Sequence, residues 1–599
     1  MVKGHGVSFL LLILVLTLRP HMAGAAYPFA QGLLLIPALV GLAMLFLNAV
    51  QSPLPGKRLL WVLVVPWALM AWSLMSLTWT PDPGQGAREA VDLLCNLTIF
   101  TVVFIMIQER PDLQKLFVPV SALVVLPVLA SAVYQRIFGL DRIRETLLIM
   151  DRSGEPVADL AGFISQHRVF AGFLNSNMLA GFLAISIPLT LDLALAASHR
   201  RRIIYFSILT ALQAAVLLLT GSLGGTLVAL AMAGSVLILR RGIGPRVIVP
   251  GCVLIILLGA GLLSIRGVGF LLGPDSSLVQ RAGYMAAGLR MTAVHPLIGW
   301  GAGASPGALM GFVASGIRPV TDPHNFLVRA WISWGIPGLV LLLVFLSLWA
   351  KNIIGLFRDT GTRMLPPGYA GFVFGSGAFL AHSLLDMDFF VPETALFGWC
   401  ALGAALGLTA CHFEEGERET RISMTRWRMV LGGMALLLVL PAFVISHGES
   451  LAYRGNKAMD SREYEKAAIL YSNARAVLPF SGRFAIDEGR ARSAAGDEEL
   501  AVELFRKADS LMRASPYPSW EMGRAFQEEG HWSDSIAPLE KALSRYPTSP
   551  RIRIDLARSY FNLGDSGQVL RLLEEARSLA MFDPQSYELA DGILSRVDR

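Results

Sequence analysis

Long apolar runs alternate with short charged ones from about Val7 to Ile445, and no run after Gly448 is long enough to cross a bilayer. A spanning helix needs roughly 20 apolar residues. Thirteen candidate spans follow, at about 7–18, 27–50, 59–79, 91–107, 116–138, 169–198, 203–220, 222–240, 247–265, 326–350, 369–385, 391–411 and 428–446. The first is short. Lys3 precedes it and Ala-Gly-Ala-Ala follows at 23–26, so it reads either as a span or as a cleavable signal segment. Both readings start the second span from the same side. The pattern predicts an all-α chain, with a polytopic membrane bundle over 1–447 and a second helical domain over 448–599.

Charge gives the spans a direction. With the N-terminus inside, the inner loops hold Lys57 and Arg58; Arg110 and Lys115; Arg200, Arg201 and Arg202; Arg240, Arg241 and Arg246; Lys351, Arg358 and Arg363; and Arg418, Arg421, Arg426 and Arg428. Every inner loop is basic, as an inward-facing set requires. Two long loops, about 139–168 and 266–325, then lie outside, and the thirteenth span carries the C-terminal domain outward. Only 16% of residues are charged and 54% are apolar, where a soluble domain has about a quarter charged. No basic run interleaved with aromatics points to nucleic acid. The four cysteines, Cys95, Cys252, Cys400 and Cys411, lie in or at the end of apolar segments, without metal-ligand spacing, and read as core residues.

The C-terminal part repeats every 34 residues. One register gives Ala474, Ala508, Ala542 and Ala576; a second gives Gly455, Gly489, Gly523 and Ala557; a third gives Gly496, Gly530 and Gly564. All three read as the small-residue positions of tetratricopeptide repeats, where helix pairs approach closely. Tyr471, Phe505, Leu539 and Leu573 fill the large apolar position three residues before each alanine. About four repeats are expected, with a capping helix at 585–597. Such an array either serves as a spacer or presents a concave surface to a protein partner.

The loop at 266–325 carries the chemistry. Ser276–Val294 reads as an amphipathic helix bearing Arg281 and Arg290, followed by a glycine-rich turn at Gly299, Gly301, Gly303 and Gly307, then His324 and Asn325 at the mouth of a span. Arginine offers a forked donor set that suits phosphate oxygens. A histidine beside it can act as a general base near neutral pH. Each residue alone has a plainer reading: an interfacial charge, a helix-terminal polar group, a turn. A second cluster, SQHRVFAGFLNSNMLAG at 165–181, places Arg168 before a span and Asn175 and Asn177 at its entry. Amides there mark a packing contact or a path. A third cluster holds His382, Asp386, Asp388 and Glu393, whose loose spacing favours pairing with loop arginines over a metal.

The segment HNFLVRAWISWGIPG resembles the signature of the O-antigen ligase family of bacterial envelopes, which includes O-antigen polymerases and some O-oligosaccharyltransferases. HPLIGWGAGA resembles the turn before it, RVFAGFLNSNMLAG the family's arginine and Asn-x-Asn helix start, and LLLTGSLGG its L-T-x-S-R-G motif. The resemblance covers most of 59–411. It implies a GT-C-like bundle and metal-independent, inverting transfer of a glycan from undecaprenyl pyrophosphate to an acceptor hydroxyl. That acceptor is a glycan, lipid A core or a protein. The reaction would lie at the outer face of the bacterial inner membrane, with the repeats in the periplasm and no cofactor. His324 would activate the acceptor and Arg281 would hold the pyrophosphate, with Arg168, Arg290 and Asn325 as further substrate contacts. Leu223 stands where the family has an arginine, so one expected positive charge is missing, and Arg290 is a candidate to replace it. Met285 replaces a leucine, a mild change. Two other readings differ in what they require. A lipid-linked sugar flippase needs polar residues across the membrane midplane and an internal repeat; here the polar residues gather at the outer face. A non-catalytic scaffold requires that His324 be dispensable.

Overall fold

A computed structural model describes residues 2–22, 27–48, 57–139, 168–173, 175–242, 273, 276–360, 365–413 and 425–597. All regular structure in them is helical. Twelve of the thirteen predicted spans coincide with helices. The remaining one, 247–265, and the proposed cleavage site at 23–26 lie outside the described residues. Nine helices among the described residues are long and apolar enough to cross a membrane.

The chain forms two compact units. The first comprises Met1–Met70, Val91–Leu257 and Leu341–Ser446. Its apolar helices differ sharply in burial. Ser176–Ala196 and Pro392–Cys411 are 83% and 89% buried, and Leu223–Arg241 only 22%. Leu218, Leu227, Leu230 and Leu437 are exposed. A water-soluble domain does not leave so much apolar helix uncovered; lipid is the solvent that matches it. Some arginines that set the predicted direction are also buried ion-pair partners. Arg240 holds Asp192 and donates to the carbonyls of Leu365 and Pro366 at 2.8 and 2.7 Å. Arg428 reaches Glu109 at 2.8 Å. Cys95 and Cys400 are buried, Cys411 is partly buried, and Cys252 lies outside the described residues.

The second unit gathers Ala71–Ala90, Leu258–Val340 and His447–Arg599. The repeats therefore share one compact body with the loop that carries His324. The array consists of four helix pairs, from the end of Val439–Asp460 with Tyr464–Val477 through Pro550–Asn562 with Ser566–Leu579, closed by Pro584–Val597. The first two small-residue registers behave as expected. A Cβ on Gly455, Gly489 or Gly523 would lie 2.6, 2.6 or 2.5 Å from Tyr471, Phe505 or Leu539, so each glycine lets its helix close on the large apolar residue of the next. The alanine register is fully buried.

The third register has a different cause. Gly496 and Gly564 have open space around the missing Cβ, but φ is +85° at Gly496, +78° at Gly530 and +80° at Gly564. These glycines supply a left-handed turn rather than close packing. The same register one repeat earlier falls on Arg462, with φ +60°. A non-glycine residue there costs about 1 kcal/mol. Replacing Arg462 with glycine is expected to raise the stability of the array by about that much, measured by thermal unfolding of the purified chain. No gain would mean the turn is held by other contacts.

Candidate functional site

The loop helix starts where Ser276 caps it, its hydroxyl accepting from the Val279 amide at 3.2 Å, and runs over Ser277–Val294. Gly283 lies against Ile317, and Gly288 meets Pro323 and Val328. Gln280 ties the same face to the following strap: its amide donates to Gly316 O and its carbonyl accepts from Arg318 N at 2.8 Å. The helix is thus docked along the residues that lead into His324.

The glycine-rich turn is a docking device. Gly299, Gly301 and Gly303 all have positive φ, at 72°, 94° and 78°. Their missing side chains admit the backbone of Gly335, Thr80 and Gly86 respectively. Helix Phe326–Thr360 is broken at Gly335, where φ is +63°. The break frees backbone groups, and the turn takes them: Trp300 N donates to Ile332 O at 2.7 Å and Ile336 N donates to Leu297 O at 3.0 Å. The motif spacing between His324 and Gly335 therefore sets the length of a short helix that ends in this joint.

His324 sits just before that helix with φ +53°, one of three non-glycine residues of positive φ among the described residues. Its amide donates to Asp322 Oδ1 at 2.7 Å. Its ring lies 5.1 Å from that of Tyr284, tilted by 34°. The other Asp322 oxygen pairs with Arg329, whose second arm pairs with Glu89. Glu89 in turn accepts from Gly303 N at 2.9 Å. One buried arginine therefore joins the histidine backbone, the start of helix Pro83–Glu109 and the glycine turn. Sequence reading passed over Glu89, Asp322 and Arg329. The signal was available, because an arginine inside an apolar helix is costly unless paired and so marks a site.

The predicted site residues separate into groups. Arg281 lies one turn before Tyr284, so both point from the same side of the helix that meets His324. Asn325 caps helix Phe326–Thr360, its side chain accepting from Leu327 N and Val328 N at 3.1 and 3.2 Å. Arg290 is exposed and donates to Phe312 O at 2.7 Å, a brace on the loop. Arg168 lies in the first unit. Its Nε donates to Thr220 O at 2.6 Å and its Nη2 to Asn177 Oδ1 at 2.9 Å. Gly221, with φ +63°, lies against the Arg168 side chain two residues before Leu223. Asn175 caps Ser176–Ala196. In the third cluster His382 pairs with Asp388, and Glu393 lies 3.7 Å from Arg19.

The repeats hold this loop and also the segment at 80–88. Arg513 donates from its amide to Pro81 O at 3.0 Å and from its side chain to Thr80 O at 2.8 Å. Met310 packs with Ala542, Tyr546 and Ile552. Gly84 lies against Ser481, and Gly307 and Gly311 lie against Ser515 and Arg545. Glu449 pairs with both Arg88 and Arg483. Nearby, burial pushes the Asp82 carboxyl up to about 6, against the opposing pull of the Gln85 amide and Arg88.

Residues 206–343 match the model of a family described as O-antigen ligase. That domain supports a glycan-transfer role in polysaccharide assembly. Among solved structures, the chain is similar to a thermophilic TPR protein of Thermus thermophilus, with 17% identity over 28% of this chain and 92% of that one, at a TM-score of 0.24. It is similar to YrrB, a TPR protein with an unusual peptide-binding site, with 15% identity over 31% and 96%, at 0.23. Yeast Tom70 is 10% identical over 86% and 88%, at 0.25. No curated protein matches.

Proposed function

We propose that this chain, a membrane protein with an O-antigen ligase domain at residues 206–343, joins a glycan carried on undecaprenyl pyrophosphate to an acceptor hydroxyl at the outer face of a bacterial inner membrane. The observation that carries this reading is the fixing of His324: a strained backbone, an Asp322 contact and the Tyr284 ring hold it at the loop helix, where Arg281 lies one turn before Tyr284. The imidazole takes the proton from the acceptor hydroxyl as that oxygen attacks C1 of the donor sugar. The bond from C1 to the pyrophosphate oxygen breaks on the opposite side, so the anomeric centre inverts. The departing pyrophosphate carries the electron pair and is met by Arg281. Charge developing on a leaving group is where a fixed cation lowers the barrier most. The repeats would lie on the same side of the membrane. Stable association with a protein partner is a second role for them, alongside their hold on the loop.

The Arg281 role has a direct test. Arg281→Lys keeps the charge but loses the two parallel bonds that a guanidinium makes to a phosphate. Transfer from undecaprenyl-pyrophosphate-linked glycan by the purified enzyme is expected to fall at least tenfold, with normal expression. Wild-type transfer by the lysine variant would remove Arg281 from the site.

A further inference from the structure

The first helices of the first three repeats line an open cavity of about 690 Å³. Asp460 comes from the end of Val439–Asp460, Arg483, Asp487 and Arg490 from Gly482–Ala494, and Tyr517 from the start of Tyr517–Glu528. Its volume is that of an ordinary small-ligand site. The charges in its wall cancel: two arginines face two aspartates. The arginines are also engaged, Arg483 with Glu449 and Arg490 with Glu521 at 2.7 Å. A groove that captures a peptide carboxylate or a phosphate keeps cationic donors in excess. This one does not. It presents paired planar hydrogen-bonding groups next to an apolar strip of Met459, Ile486 and Met512 and the half-buried Tyr517 ring. A neutral sugar is the matching shape, since it has hydroxyls around its rim that both donate and accept, and a C–H face that packs on an aromatic ring.

Position supports the same ligand. Arg483 shares Glu449 with Arg88, and the next residue, Glu89, holds Arg329 and through it Asp322 at His324. The cavity and the loop belong to one compact unit. We infer that the groove on repeats one to three is a glycan-binding site, which holds an uncharged stretch of the polysaccharide on which the His324 loop acts. The inference rests on the glycan-transfer reading for the identity of the chain, and it adds a second place where the protein holds it.

The test measures binding apart from chemistry. The full chain in detergent is titrated with fluorescently labelled oligosaccharides released by mild acid from the surface polysaccharide of the cells that make it. Saturable binding is expected. Tyr517→Ala and Arg490→Gln should each weaken it at least fivefold, and Tyr517→Phe, which keeps the ring, should weaken it less than twofold. His324→Ala protein should bind as well as wild type. If the oligosaccharides do not bind, or if the two weakening variants bind like wild type while eluting as folded protein, the inference is overturned. Displacement by peptides but not by oligosaccharides would assign the groove to a protein partner and also overturn it. Intact oligosaccharide binding with no transfer by the wild-type enzyme would strike only the catalytic reading.

Discussion

Replacing His324 with alanine is expected to lower glycan transfer by two to four orders of magnitude, the range that a general base contributes. The structure separates this effect from misfolding. His324 holds a positive φ that any residue with a side chain bears with similar strain. Its contact with Asp322 is through the backbone amide, which alanine retains. His324→Ala should therefore unfold within a few degrees of wild type. His324→Gly, relieved of the strain, should be at least as stable and equally inactive. Cells carrying either variant at normal expression should lose the surface polymer. A His324→Ala enzyme with wild-type transfer would sink the catalytic role and favour the scaffold reading.

The second large effect is expected at Arg329. Its side chain is 7% exposed and holds two carboxylates, Asp322 and Glu89. Removing one member of a buried ion pair typically costs about 3–5 kcal/mol, because the remaining charge is left without compensation. Arg329→Met leaves two such charges and should fall at the upper end, with a lower unfolding temperature and loss of transfer. Neutralising both acids in the same chain, with Asp322→Asn and Glu89→Gln, should restore much of the stability, since a buried charge triad is replaceable by neutral groups. Activity should not return, because the triad also sets the backbone at His324 and the Gly303 turn. An Arg329→Met protein as stable as wild type would show that the triad is not an anchor.

The spans and the repeats were legible in the sequence because each is a local pattern. Hydrophobic length finds a helix such as Ser176–Ala196 without knowing its neighbours, and a 34-residue period is visible in one chain. The His324 loop was legible as a motif. The rest depends on pairs far apart in sequence. Glu89 meets Arg329 across 240 positions, and Arg513 meets Thr80 across 433. Arg329 stands out as a charge in an apolar helix, but nothing local to either pair names the partner. Arg290 and Asn325 show the converse limit. Both carry plausible donor chemistry, yet one braces the Phe312 carbonyl and the other caps a helix, roles that residue type alone does not separate from ligand contact. The glycine turns show it for backbone: Gly489 and Gly496 look alike in a repeat register, but one is needed for space and the other for its φ.

The seat of Met310 among Ala542, Tyr546 and Ile552, with Arg513 fixed on Thr80, has a consequence for how such a chain can diversify. Solenoids ordinarily gain and lose repeats freely, because each unit touches only its neighbours. Here the anchored contacts run from Ser481, against Gly84, to Ile552, against Met310, so inserting one repeat anywhere in that interval would carry Met310 past its seat. Length can change without that disturbance only beyond the last anchored helix, near the chain's end. The same constraint governs engineering. A truncation at the apparent boundary near 447 would strip the loop of its support together with any docking surface, and its loss of activity could not be assigned to either.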